Sequence, residues 1–146
     1  MPIRSSILLI DDSPGECELF RMALLQAGVD AILYIEQDAE AALHFLTDEA
    51  AHDSRPFVIL LDWHLRKTRG DRFLTQLRSD FRFAAIPVVV FTTSDDSSDI
   101  AAGYRNGANG YVVKPGLFEE LVCCVEDLCR YWLRWNRSLP VSATQC

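Results

Sequence analysis

Five short apolar runs recur along the chain, and a longer segment of mixed polarity follows each of them. The runs cover residues 7–10, 31–35, 57–61, 87–91 and 111–113. Strands that are apolar on both sides are typical of a parallel sheet whose two faces are covered by helices. The pattern therefore predicts five buried parallel strands.

The segments between the runs repeat apolar residues three and four positions apart, which is the period of a helix with one buried face. Helices are predicted at 15–27, 38–47, 71–80, 96–106 and 117–135. Asp38 is a predicted N-cap and Gly28 a predicted stop. The residues expected on the buried faces are, helix by helix, Leu19, Phe20, Ala23, Leu24 and Ala27; Ala39, Ala42, Leu43 and Leu46; Phe73, Leu74 and Leu77; Ile100, Ala101 and Tyr104; and Leu121, Val125, Leu128, Trp132 and Trp135.

Five strand–helix repeats with right-handed crossovers predict a doubly wound α/β fold, (βα)5, with helices on both faces of an open parallel sheet. We expect one domain over residues 1–146, with a core at about 5–136 and a polar tail at 137–146.

Composition and charge narrow the range of possible functions. The chain is 49% hydrophobic and carries a net charge of −7, so direct binding to a nucleic-acid backbone is disfavoured. No stretch reaches the roughly 20 apolar residues that span a bilayer, and the N-terminus does not resemble a signal peptide. The expected location is the cytoplasm, with no membrane association.

The five cysteines, Cys17, Cys123, Cys124, Cys129 and Cys146, include no C-x-x-C pair. The three histidines are scattered and none lies near the cysteine cluster in sequence. We interpret the cysteines as reduced thiols, mostly small core residues, rather than ligands of a metal cluster.

Chemically active side chains follow four of the strands. Asp11 and Asp12 follow the first, Asp62 the third, Thr92 the fourth and Lys114 the fifth. Ligands of open α/β sheets bind at the carboxyl ends of the strands, so these side chains are expected to meet. Each one alone is more often a cap, a turn residue or a solvated surface group; their joint occurrence at four strand ends favours a site.

The set has a chemical logic. Clustered carboxylates repel one another and need a cation, and oxygen ligands suit Mg²⁺. With charge offset in this way, Asp62 could attack phosphorus and form an aspartyl phosphate. Lys114 and the Thr92 hydroxyl could contact phosphoryl oxygens.

The segments ILLIDDSPGE, FVILLDWHL, IPVVVFTTS and NGANGYVVKP resemble the receiver domain of two-component response regulators, over about residues 5–136. The resemblance implies a flavodoxin-like sheet with strand order 2-1-3-4-5. It implies that Asp62 is the phosphoacceptor, that Asp12 and Asp62 bind Mg²⁺ directly, that Asp11 does so through water, and that the backbone carbonyl of His64 is a further ligand.

The resemblance also implies that Thr92 and Tyr111 form a switch pair, in which Thr92 is drawn to the phosphoryl group and Tyr111 repacks inward. Lys114 would contact the phosphoryl group, and the Lys114–Pro115 bond would be cis. The chain departs from the usual pattern at Arg66, where proline is common, at Thr93, where a small residue is common, and at Gly116, where phenylalanine is common. None of these departures removes a functional group.

The segment DWHLRKTRGD and the late aromatic stretch Tyr131-Trp132-Leu133-Arg134-Trp135, closed by Ser138-Leu139-Pro140, resemble single-domain regulators paired with phytochrome histidine kinases. The implied partners are a sensor histidine kinase and a downstream protein target. Trp132 and Trp135 come late in the last predicted helix, so the alternative to a core position is an exposed patch beyond the sheet, and on this basis we predict a homodimer through residues 96–136. The chemistry would be self-modification and not turnover of a substrate.

Two alternatives remain open. One is an interaction module that works without phosphorylation. The other is an aspartate-nucleophile phosphatase, although such enzymes carry D-x-D-x-T after the first strand, where this chain has Asp11-Asp12-Ser13-Pro14.

Overall fold

The computed structural model describes residues 4–48 and 55–138. The strands are β1 (Ser6–Ile10), β2 (Ile32–Glu36), β3 (Val58–Leu61), β4 (Val88–Thr92) and β5 (Gly110–Val113). The helices are α1 (Pro14–Gln26), α2 (Ala39–Thr47), α3 (Gly70–Ser79), α4 (Ser97–Arg105) and α5 (Phe118–Cys129), and a π-helical segment, Arg130–Trp135, continues α5. Every predicted element is confirmed, with ends shifted by one residue, except that the last predicted helix is α-helical only to Cys129.

The five strands form one parallel sheet in the order β2-β1-β3-β4-β5, as the resemblance implied. The chain leaves β1 toward β2 on one side and returns to β3 on the other. This reversal opens a crevice at the carboxyl ends of β1 and β3, which is where open sheets of this kind bind ligands.

Alternate strand residues belong to two separate hydrophobic cores, because successive side chains of a strand point to opposite faces of the sheet. One core, under α2 and α3, contains Leu8, Ile10, Ile59, Leu61, Val88 and Val90. The other, under α1 and α5, contains Ile7, Leu9, Val58, Leu60, Val89 and Phe91. Burial on both faces explains the continuous apolar runs of β1, β3 and β4. The edge strands β2 and β5, which were also predicted to be buried, are only partly buried.

Two helices depart from the predicted buried faces: α1 mainly at Leu19, since Phe20, Ala23 and Leu24 are buried as predicted, and α4 over most of its face. In α1, Leu19 is exposed and Cys17 is buried with Phe20. In α4, Tyr104 is exposed, and Gly103 is the buried residue. The reason in α4 is close approach, since a Cβ on Gly103 would lie 3.2 Å from the ring of Tyr111, and a pattern of large apolar residues does not reveal a contact made by glycine.

The predicted end signals of the first two helices are confirmed. The Asp38 carboxylate accepts the Ala41 N–H at 2.8 Å and caps α2. Gly28 follows α1 with a φ of 71°, a left-handed conformation that glycine adopts without strain. Ser13, which the sequence pattern did not single out, caps α1 by accepting the Glu16 N–H at 3.3 Å.

The last predicted helix is α-helical only to Cys129 and then widens into the π-helical segment. Trp132 is half-buried and packs against the core under α1 and α5, as the helix-face pattern predicted. Trp135 is 61% exposed, so of its two predicted positions the exposed one, beyond the sheet, is confirmed. It lies one turn beyond the part of the segment that faces the sheet.

Arg78 of α3 is a structural residue that the sequence pattern did not reveal. Its guanidinium donates to the carbonyls of Gly107 at 3.0 Å, Ala84 at 2.9 Å and Ile86 at 2.7 Å, and to Asn109 Oδ1 at 2.7 Å. Burial lowers the pKa of this guanidinium. Arg78 therefore ties α3 to the loop between α4 and β5.

Cys17, Cys123, Cys124 and Cys129 are free thiols, as predicted, and Cys146 lies outside the described residues. Cys17 and Cys129 are buried core residues, whereas Cys124 is partly buried and Cys123 is exposed. Burial, reinforced by the charge of Asp11, raises the pKa of the Cys17 thiol to about 11. Within residues 4–48 and 55–138, no helix is both long and apolar enough to cross a membrane.

Candidate functional site

The strand register brings the predicted site residues together at one edge of the sheet. Ile10 pairs with Leu61, and the N–H of Asp62 donates to the Ile10 carbonyl at 2.9 Å. Asp11 and Asp62 are thus next to each other as their strands end. The N–H of Lys114 donates to the Thr92 carbonyl at 2.7 Å, which fixes the same relation between β4 and β5.

Asp11, Asp12 and Asp62 form an acidic cluster. One carboxylate oxygen of each lies within 4.8 Å of the corresponding oxygen of the others. Asp11 is only 1% exposed, so its charge is not offset by bulk water. Three carboxylates at this spacing, all oxygen donors, fit a hard divalent cation.

Lys114 supplies the positive charge of the site. Its side chain is 8% exposed, and Nζ lies 2.6 Å from Asp11 Oδ2 and 3.8 Å from Glu16 Oε2. Glu16 was missed by the sequence analysis because it lies in the first turn of α1, away from any strand end. The prediction of a cis Lys114–Pro115 bond is wrong, since no peptide bond among the described residues is cis; trans is also the form that a prolyl bond intrinsically favours.

The three acids are not equivalent. Both Asp11 oxygens have protein donors, since Oδ1 accepts the Ser13 N–H at 2.9 Å and Oδ2 the Lys114 ammonium. Asp12 Oδ2 accepts the N–H of Arg66 at 2.8 Å. A proline at position 66 could not donate this bond, so Arg66 changes the surroundings of the site through its backbone as well as its charge.

Thr92 and Tyr111, the predicted switch pair, lie on the neighbouring strands β4 and β5, where Tyr111 pairs with Val90, two residues before Thr92. Thr92 is buried at the end of β4. The Tyr111 hydroxyl donates to the Ser94 carbonyl at 2.9 Å, in the loop that follows β4. Burial is the main cause that raises the pKa of Tyr111.

His64 makes a contact that sequence reasoning did not foresee. Its N–H donates to Asp62 Oδ1 at 3.4 Å, and its ring Nε2 lies 2.8 Å from Asp99 Oδ2, in the first turn of α4. The Ser94 hydroxyl donates to the same Asp99 oxygen at 2.6 Å. The hydrogen bonds from Ser94 and then His64 lower the pKa of Asp99. The expected metal contact of the His64 carbonyl stays a prediction.

The loop after Asp62 is packed tightly. Trp63 is buried, and its carbonyl accepts the N–H of Gly70 at 3.2 Å. A Cβ on Gly70 would lie 2.9 Å from the Trp63 ring and 3.1 Å from its backbone. A glycine at the start of α3 is therefore required for the loop to close against Trp63.

Residues 7–126 match the response regulator receiver domain family. The matched residues include all four strand ends that form the site. The chain belongs to this family, whose members act in two-component signalling.

Known proteins that resemble the chain over most of their length include small regulators. The chain is 39% identical over 133 residues to the probable methanogenesis regulatory protein FilR2 of Methanothrix harundinacea, covering 90% of this chain and 86% of FilR2. It is 33% identical over 129 residues to the response regulator Rcp1 of Synechocystis sp., covering 87% of this chain and 88% of Rcp1.

Solved structures agree with the fold. The phosphorylated cyanobacterial phytochrome response regulator RcpA superposes with a TM-score of 0.84 at 30% identity, covering 94% of this chain and 100% of RcpA. The Mn²⁺-bound form of Rcp1 gives a TM-score of 0.80 at 31% identity, covering 93% of this chain and 99% of Rcp1. A relative that holds a divalent ion agrees with the donor chemistry of the acidic cluster.

Proposed function

We propose that the chain is a single-domain response regulator that accepts a phosphoryl group from a histidine kinase on Asp62. The observation that carries the proposal is the acidic cluster at the ends of β1 and β3, with Lys114, from the end of β5, buried against it. The match to FilR2 and Rcp1 spans 86% and 88% of those proteins, so the likeness to these regulators extends over most of their own length.

The proposed metal is Mg²⁺, held by Asp12, Asp62 and the His64 carbonyl, with Asp11 contributing through water. The donor set supports these roles, because both Asp11 oxygens already accept protein hydrogen bonds. Bound Mg²⁺ would offset the charge that develops on the transferred phosphoryl oxygens.

The proposed transfer is a displacement at phosphorus. A lone pair of an Asp62 oxygen forms the new O–P bond, while the N–P bond of the kinase phosphohistidine breaks and its electron pair stays on the histidine nitrogen, which then takes a proton. Lys114 and the Thr92 hydroxyl bind phosphoryl oxygens. Phosphoryl transfer depends mainly on such positioning and charge neutralisation, so no separate general base is required.

The proposed output passes through Thr92 and Tyr111 to the face built from residues 96–136, where a downstream protein binds. Arg78 holds the α4–β5 loop of this face to α3, so α4 would shift relative to a loop whose position is fixed. The likeness to RcpA and Rcp1 supports a phytochrome-type kinase as the phosphodonor.

The test is phosphorylation measured by intact mass. The protein is incubated with Mg²⁺ and acetyl phosphate, and wild type is compared with Asp62→Asn. We expect wild type to gain one phosphoryl group and Asp62→Asn to gain none, because an amide is not a nucleophile of comparable strength. No gain by wild type would contradict the proposal, and steady release of phosphate from small esters would favour the phosphatase alternative.

We further propose that the 96–136 face binds a second copy of the chain. Tyr104, Tyr131 and Trp135 are exposed aromatic residues of this range, and tyrosine and tryptophan are enriched at protein interfaces. We expect sedimentation velocity to show a dimer that Trp135→Ser weakens. Phe81→Ser, at an exposed aromatic residue of the α3–β4 loop, is the control that leaves the dimer unchanged. A wild-type monomer at high concentration, with and without phosphodonor, would overturn the proposal.

A further inference from the structure

A continuous series of hydrogen bonds joins the phosphoacceptor to Tyr111 without passing through Thr92. It runs from Asp62 Oδ1 to the His64 N–H, from the His64 ring to Asp99, from Asp99 to the Ser94 hydroxyl, and from the Ser94 carbonyl to the Tyr111 hydroxyl. The first of these contacts, between Asp62 and the His64 N–H, is 3.4 Å long. The following three, in the same order, are 2.8, 2.6 and 2.9 Å long. The series crosses from the β3–α3 loop to α4 and reaches β5.

Asp99 is the junction of this series. Both the His64 ring and the Ser94 hydroxyl contact the same oxygen, Oδ2. An acidic residue in the first turn of a helix often serves the helix itself, by capping it or by interacting with its dipole. Here both contacts come from outside α4, which begins at Ser97, so they tie the helix to the two loops that border the site.

The Asp99 side chain is 17% exposed, whereas the His64 side chain is 59% exposed. A simple surface ion pair has both partners in water and contributes little. Asp99 is mostly enclosed and accepts the Ser94 hydroxyl as well, and that hydroxyl belongs to the residue whose carbonyl binds Tyr111. Fixing the Ser94 side chain therefore also orients the carbonyl that Tyr111 needs.

We propose that Asp99 is a positioning residue that couples Asp62 to Tyr111, by holding Ser94 where its carbonyl binds the Tyr111 hydroxyl. The inference rests on the proposed phosphoacceptor function of Asp62. Phosphorylation of Asp62 changes the carboxylate that accepts the His64 N–H. His64 transmits this change to Asp99 and α4 through its ring. The chain thus has a second connection between site and output face, beside that of Thr92.

The experiment follows Tyr111 directly by ¹⁹F NMR of protein labelled with 3-fluorotyrosine. The chain has four tyrosines, and the Tyr111 signal is assigned as the one lost in Tyr111→Phe. Spectra are recorded before and after phosphorylation, with intact mass measured on the same samples. We expect Asp99→Ala to lower the ratio of Ser94-bound to unbound Tyr111 by about fivefold, the equivalent of one net hydrogen bond.

Three further variants make the result specific. Asp99→Asn retains an acceptor oxygen and is expected to restore most of the wild-type ratio. His64→Ala, at an exposed side chain that the fold does not need, is expected to shift the ratio in the same direction as Asp99→Ala, and the double variant to shift it no further. Asp95→Ala removes a charge from the exposed part of the same loop and is the matched control, expected to leave the Tyr111 signal unchanged.

The outcomes separate this inference from the function on which it rests. If wild type takes no phosphoryl group, the proposed function fails. If wild type is phosphorylated but Asp99→Ala and His64→Ala both give the wild-type Tyr111 signal, only the coupling role of Asp99 fails. Additive shifts in the double variant would also overturn it, because His64 and Asp99 would then act separately.

Discussion

Replacing Lys114 with methionine slows uptake of a phosphoryl group by Asp62 by about a hundredfold or more, the usual loss when one buried donor to a developing anion is removed. Methionine keeps the length and the apolar stem of lysine but not its charge. The phosphoryl group then enters an acidic cluster without its fixed cation. The rate is measured by intact mass over time with Mg²⁺ and acetyl phosphate.

The same substitution also destabilises the fold. Lys114 and Asp11 form an ion pair at 2.6 Å in which both side chains are buried, and removing one partner leaves a buried charge. Such a loss costs about 3 kcal/mol. Urea unfolding without divalent ions is the measurement, and the double variant Asp11→Asn/Lys114→Met is expected to recover part of the lost stability, since it removes the stranded carboxylate.

Lys67→Met is the matched control. Lys67 is 81% exposed and its Nζ lies 3.9 Å from Asp38 Oδ2, so its loss is expected to change stability by less than about 0.5 kcal/mol and leave phosphorylation unchanged. If Lys114→Met were phosphorylated as fast as Lys67→Met, Lys114 would have no part in the transfer.

The strand ends were predictable because parallel strands buried on both faces leave a plain signal in the sequence. Continuous apolar runs locate the strands, and the first polar residue after each run is then at the carboxyl edge of the sheet. Asp11, Asp62 and Lys114 could be found in this way. Their arrangement in one cluster follows from register, which the family resemblance implied and the apolar runs alone do not specify.

The contacts that come from helices were not predictable in the same way. Glu16 and Asp99 lie in the first turns of α1 and α4, where an acidic residue has an ordinary explanation in the helix dipole. Only the folded structure shows Glu16 near Lys114 and Asp99 against His64. The buried face of α4 was mispredicted for a related reason, because its closest contact is made by Gly103, which has no side chain to mark it.

Mg²⁺ raises the stability of the protein, and Asp62→Asn loses most of that response while being the more stable protein without metal. A ligand that binds only the folded state adds about 2.7 kcal/mol at a hundredfold excess over its Kd. For a chain of this size that corresponds to a rise of about 5 to 10 °C in Tm. Differential scanning calorimetry with increasing MgCl₂ measures it.

Asp62→Asn is expected to be more stable than wild type without metal because of the charges of the site. The side-chain amide of this variant keeps an oxygen that can accept the His64 N–H. One of three carboxylates within 4.8 Å of one another is removed, however, and this relieves repulsion of about 1 kcal/mol for each pair even at the dielectric of bulk water. NaCl at matched ionic strength is the control, since it screens the charges without coordinating them. An equal rise in Tm with Mg²⁺ in wild type and Asp62→Asn would show that the ion binds elsewhere. A metal-free Asp62→Asn less stable than wild type would show that Lys114 already neutralises the cluster, so that the cation is needed for transfer and not for the fold.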